Sequence, residues 1–146
     1  PGSSLRPVPA ARWTPERVAA VAVGGAAGTT VRWAVTTRVG DVAFPWPVLA
    51  VNVVGSLVLG AALAEEWRHP RARLLLHDLG GIGFCGGLTT FSTFAVEVAE
   101  RLRDGDAAVG VVYAAASVAG AIAAVLLGAA IVGRVRAAGR PVEAEP

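Results

Sequence analysis

The sequence predicts an all-α integral membrane protein of four transmembrane helices, the third of them broken in mid-membrane. Three observations carry that prediction. Hydrophobic residues make up 54% of the 146-residue chain against 16% charged, and the mean hydropathy is +0.58, well above an ordinary water-soluble domain. The apolar residues fall into four runs of about 20, the length that crosses about 30 Å of hydrocarbon. Within the third run, GFCGGLTTFSTF at positions 83–94 gathers glycines and hydroxyls where lipid satisfies neither a loosened backbone nor a polar side chain.

The segment 1–12 reads as a flexible tail without the apolar core of a signal peptide, and 137–146 reads the same way, leaving 13–136 as one membrane domain. The first span, about Val18 to Val39, is entered through TPER, where Thr14 can cap and Pro15 suits the first turn. Its Gly24-x-x-x-Gly28 spacing matches the small-residue motif that lets helices approach closely. The second span, about Val48 to Trp67, follows the FPWP turn. The third runs from about Leu74 to Val98 and the fourth from about Ala107 to Val132, with connections short enough to make neighbours antiparallel.

The break in the third span is expected near Gly86 and Gly87, followed by Thr89 and Thr90, because all four are poorer helix formers than the leucines and alanines around them. A tight-packing glycine pair in an intact helix is the competing reading. A broken helix bares backbone carbonyls at membrane depth, which is tolerable where they are buried in protein and coordinate something.

Polar residues inside the spans are the best pointers to function. Arg32 near the far end of the first span either snorkels to the headgroups or places an anion-attracting charge in a watery mouth. Asn52 in LAVNVVGS has two N–H donors to offer an anion or a neighbouring helix. Phe91, Phe94 and Glu97 share one helix face, with Ser92 and Thr93 further round. Such a stripe is commonly core, but the electropositive edge of a phenylalanine ring can also face an anion. Tyr113 and Ser117 stand one turn apart in the fourth span, able either to pass an anion along or to bond adjacent helices, with Ala121 at the next turn.

Other chemistries find little support. All 13 basic residues are arginines placed at the ends of apolar runs, and with 11 acids the net charge is only +2, so there is no nucleic-acid face. Cys85 is the single cysteine, which rules out an internal disulfide. His69 and His77 have no recognisable ligand spacing. Ser92 and Ser117 lack a histidine at membrane depth for a nucleophilic triad. No G-x-x-x-x-G-K-[ST] run is present for a nucleotide. A proton-coupled small multidrug exporter would need a carboxylate deep in the first span, and none follows Glu16 there.

The run GFCGGLTTFSTF followed by AVE resembles the signature of the Fluc, or CrcB-type, fluoride channels. The resemblance extends over GGAAGTTVRW in the first span, VNVVGS in the second and the Tyr113 to Ser117 pair in the fourth, so it covers the whole membrane region. It implies a non-enzymatic, fluoride-selective channel of the cell membrane that lets toxic cytoplasmic fluoride out passively. It also implies an antiparallel, dual-topology dimer with two pores and a structural sodium ion at the centre. Carried onto this chain, the backbone carbonyls of Gly86 and Thr89 would hold the sodium. Phe91 and Phe94 would present ring edges to fluoride, Asn52 and Thr93 would line the pore, and Tyr113 and Ser117 would form a polar track. Glu97 would stand at the pore end and Arg32 in the vestibule. Ala121 departs from the pattern, because a hydroxyl often continues the track there.

The arginines bear on orientation. Arg6, Arg12, Arg17, Arg68, Arg71, Arg73, Arg134, Arg136 and Arg140 lie on the side of both termini, against Arg38, Arg101 and Arg103 opposite. That bias would turn the termini inward, whereas dual insertion favours parity. The partner is therefore expected to be a second copy in an antiparallel homodimer or an oppositely oriented homologue in a heterodimer.

Overall fold

In the computed structural model the described residues are 13–38, 43–64, 67 and 69–138; the tail 1–12, the stretch 139–146 and arginines 6, 12, 68 and 140 lie outside them. Among the described residues, four helical crossings are long and apolar enough to span a membrane, at Pro15–Thr36, Trp46–Leu63, Pro70–Arg103 and Ala107–Ala138. The chain is a multi-pass integral membrane protein.

Helix α1 is Pro15–Thr36. It starts where the sequence places its cap: the Thr14 hydroxyl accepts from the Arg17 backbone N–H at 3.4 Å, and Pro15 gives up a donor that would have no partner in the first turn. Helix α2, Trp46–Leu63, has proline in its opening turn for the same reason. The third crossing is composite. A single turn, Pro70–Ala72, leads into a wide π-wound segment, Arg73–Cys85, and a further α turn, Gly86–Leu88. Helix α3, Phe91–Arg103, completes the crossing, and α4 is Ala107–Ala138. Gly105 links α3 to α4 with φ of +92°, a left-handed turn that glycine adopts without the clash a Cβ brings.

A π winding of this length is uncommon, since such geometry usually appears as a single inserted turn near functional sites. Nothing in the periodicity of the sequence signals it. The glycine pattern does foretell the packing. A Cβ on Gly24 or Gly28 would run into the backbone carbonyls of Leu79 or Phe84, so α1 and the π segment touch through bare backbone. Between α2 and α4 the same role falls to Gly60, against Val125, and to Gly128, against Leu57.

At one end of the seam between α1 and the π segment lies a buried ion pair. Asp78 is fully buried. Arg17 grips it with both arms of its guanidinium, Nε to Oδ2 at 2.6 Å and Nη2 to Oδ1 at 2.9 Å. His77 Nδ1 lies 2.8 Å from Oδ1, and the Arg17 guanidinium stacks 4.9 Å from the Trp13 ring centroid. The two-pronged geometry is the strongest form of such a pair. From sequence, Arg17 is one of the arginines at the ends of apolar runs and His77 a histidine without ligand spacing; in three dimensions both serve an acid that the pattern does not single out.

Candidate functional site

The site grows from a local backbone problem. After Leu88 the chain leaves helical geometry for two residues: Thr89 has φ −78°, ψ 153° and Thr90 has φ −147°, ψ 121°. Gly86 itself keeps helical angles, φ −63° and ψ −34°. The extended pair therefore falls on the threonines and not on the glycine doublet, as β-branched residues with hydroxyls able to cap would favour.

Two extended residues leave N–H and C=O groups without helical partners, and side chains from elsewhere supply them. Asn52 brackets Thr90, donating from Nδ2 to its carbonyl at 3.1 Å and accepting its N–H on Oδ1 at 2.7 Å. Arg32 donates from Nη1 to the Thr89 carbonyl at 2.9 Å. Thr29 reaches the Gly87 carbonyl at 3.4 Å, and the Thr89 hydroxyl turns back to the Cys85 carbonyl at 2.9 Å. The Thr90 hydroxyl then starts α3 as its cap, accepting the Thr93 N–H at 3.2 Å and donating to the Thr93 hydroxyl at 3.1 Å.

This arrangement leaves donors over. Asn52 has a second N–H beyond the one bound to Thr90, and Thr93 accepts at its oxygen while its own hydroxyl hydrogen stays available. Beside them runs a groove of about 280 Å³ lined by Asn52, Ser56 and Leu59 of α2, by Thr89, Thr90, Phe91 and Phe94, and by Ser117, Val118 and Ala121 of α4. The Ser117 hydroxyl is buried there with no hydrogen-bond partner among the described residues. A lone buried hydroxyl costs about 1–3 kcal/mol, and the polar group that bears on Ser117 from within the subunit is the Tyr113 hydroxyl one turn earlier, already engaged by Glu97.

An aromatic series follows the groove. Phe91 and Phe94 have ring centroids 5.8 Å apart, Phe94 stands 5.4 Å from Tyr113, and Phe44 meets Tyr113 edge-on at 5.6 Å. Tyr113 is fully buried, and its hydroxyl donates to Glu97 Oε2 at 2.6 Å.

The structure thus brings Asn52, Thr89, Phe91, Phe94 and Ser117 to one groove, with Thr93 behind Thr90. Tyr113 and Glu97 bond each other one turn away, so the tyrosine O–H is already engaged. Arg32 is half-buried and donates to the Thr89 carbonyl, so it braces the extended pair from one side. Gly86 is exposed on the outside of the subunit, with no atom near the place of a Cβ. Sequence reasoning named Thr90 only as part of the break and passed over Ser56 and Phe44. The signal for Ser56 was its place four residues after Asn52, and that for Phe44 was the aromatic FPWP turn.

Four apolar crossings, three of which line a largely apolar groove with a few polar groups set into it, define a small helical membrane protein, with no catalytic constellation among the described residues. The CrcB-like protein family, Camphor Resistance (CrcB), matches residues 19–129, and the chain belongs to that family. Among its relatives, a fluoride-specific ion channel FluC of Bordetella pertussis is 36% identical over 120 residues, covering 82% of this chain and 94% of the relative. One of Rhizobium etli is 44% identical over 114 residues, covering 76% and 91%, and one of Bordetella petrii is 40% identical over 111 residues, covering 76% and 87%. The family is one of fluoride-specific ion channels, not of enzymes.

Proposed function

We propose that this chain conducts fluoride passively across the cell membrane, out of the cytoplasm, as an antiparallel dimer. The observation that carries the reading is the partnerless buried hydroxyl of Ser117 in a groove shared with Asn52, Phe91 and Phe94, in a chain whose relatives bear the name fluoride-specific ion channel. A small hard anion must exchange its water shell for donors along the way. The spare N–H of Asn52 and the hydroxyls of Thr93 and Ser117 are such donors, and phenylalanine edges add weak positive potential without a tight-binding cation. An inside-negative potential supplies about 2.3 kcal/mol per charge per 100 mV for efflux, so no energy-coupling site is required.

A partner subunit fits the outer face. Phe91, beside the groove, is 79% exposed in the single subunit, and a dimer would cover it and close the pathway. In this reading the interruption at Thr89 and Thr90 lies at mid-membrane, and the carbonyls of Gly86 and Thr89 from both subunits would hold a sodium ion. The donor set fits: neutral carbonyl oxygens suit a hard monovalent cation, and the exposed Gly86 turn has room for a facing partner. The Thr89 carbonyl would share itself between that ion and Arg32, using its second lone pair. Bound there, sodium would supply fixed positive charge. The partner is proposed as a second copy, an oppositely oriented homologue being the other outcome of a crosslinking test of subunit orientation.

The test is fluoride release from liposomes reconstituted with the purified protein. Wild-type protein should release fluoride and exclude chloride, and Phe91→Ile or Phe94→Ile should slow release at least about tenfold with the dimer intact. Wild-type liposomes that hold their fluoride would leave a non-transporting scaffold as the reading.

A further inference from the structure

We propose that Ser56 is a further anion-contacting residue, supplying from α2 a hydroxyl to a stretch of the groove where α4 offers only Val118 and Ala121. The inference rests on the anion-conducting reading above. Ser56 and Ala121 both line the groove that holds the partnerless Ser117. Helices α2 and α4 run parallel, because Val53 meets Gly120 and, further along both, Gly60 meets Val125. Leu57, the neighbour of Ser56, meets Gly128, so Ser56 stands further along the parallel pair than Ala121, toward the end of the groove where Leu59 lies. On α2, Asn52 and Ser56 are one turn apart on one face; on α4, Ser117 and Ala121 are likewise. The donors then follow one another along the groove, Asn52 and Ser117 first and Ser56 beyond them.

The state of the Ser56 hydroxyl is the second observation. Elsewhere in these helices hydroxyls fold back on the carbonyl one turn earlier: Thr30 on Ala26 at 2.9 Å, Thr36 on Arg32 at 2.9 Å, Thr37 on Trp33 at 2.6 Å and Thr89 on Cys85 at 2.9 Å. That bond is the ordinary resting place of a hydroxyl in an apolar helix. Ser56 makes no such bond, and no partner for its hydroxyl is present among the described residues. It is only half-buried and opens on the groove. An anion leaving Ser117 toward this end would otherwise meet Leu59, Val118 and Ala121, none of which can donate.

The experiment moves the hydroxyl across the groove. Ser56→Ala should slow fluoride release from liposomes about tenfold while elution and melting temperature match wild type. Adding Ala121→Ser to Ser56→Ala should restore release to within about twofold of wild type, which no packing role of Ser56 predicts. Release by Ser56→Ala at the wild-type rate overturns the inference, and so does a double variant as slow as the single one. Should Ser56→Ala aggregate, Ser56→Cys, nearly isosteric and a weak donor, takes its place in both comparisons. Wild-type protein that releases no fluoride fails the underlying reading instead, so the two failures are told apart.

Discussion

The seam between α1 and the π-wound segment and the groove between α2, α3 and α4 treat buried polar groups in opposite ways. In the seam every partner is filled: Asp78 is held by both arms of Arg17 and by His77, and bare glycine backbone closes the rest. In the groove, Ser117 is buried without a partner and Asn52 keeps an N–H in reserve. Burial of a polar atom is expensive in both places. A region that neutralises the cost internally is built to hold, and one that leaves it standing is built to receive.

That contrast can be broken from either side. The largest effect is expected in the seam, where Gly28→Leu would drive a side chain into the Phe84 backbone. A loss of about 3 kcal/mol or more should appear as aggregated protein in detergent, and a normally eluting variant would show that the close approach is dispensable. Asp78→Asn comes next. It keeps the shape but removes the charge that Arg17 grips, and the melting temperature should fall on the order of 5 °C. Fluoride release per folded protein should not change; a drop in release with stability intact would place function in the seam. The smallest stability effect belongs to Ser117→Ala, which deletes a hydroxyl that bonds nothing in the subunit. Stability should hold or rise by up to about 1 kcal/mol, while fluoride release falls. A clear loss of stability would mean that the hydroxyl has a structural partner after all.

The four crossings were legible because apolar length is a coarse signal that survives ignorance of every contact. Their ends were less so. The third crossing reaches Arg103 and the fourth Ala138, past the expected Val98 and Val132, because a helix continues through charged residues such as Glu100 and Arg101 after hydropathy has fallen. Asn52 and Ser117 of the groove were also visible, since a hydroxyl or amide in an apolar run stands out on its own. What stayed hidden depends on pairing at a distance. Arg17 and Asp78 are 61 positions apart, and nothing local in either marks the other. The expected break covered Gly86, Gly87, Thr89 and Thr90 together; that the extended angles fall on the two threonines goes with Asn52 and Arg32 reaching those two residues, a fact of tertiary placement that helix propensity cannot report. Ser56 shows the remaining limit: its residue type was plain, but its freedom from the usual carbonyl bond is a property of geometry alone.

The servicing of Thr89 and Thr90 from Arg32 and Asn52 has a temporal side. Both helpers sit on crossings that leave the ribosome before the third one does. When the two threonines are synthesised, the groups that partner their non-helical backbone already exist, so the order of translation and the order of dependence coincide.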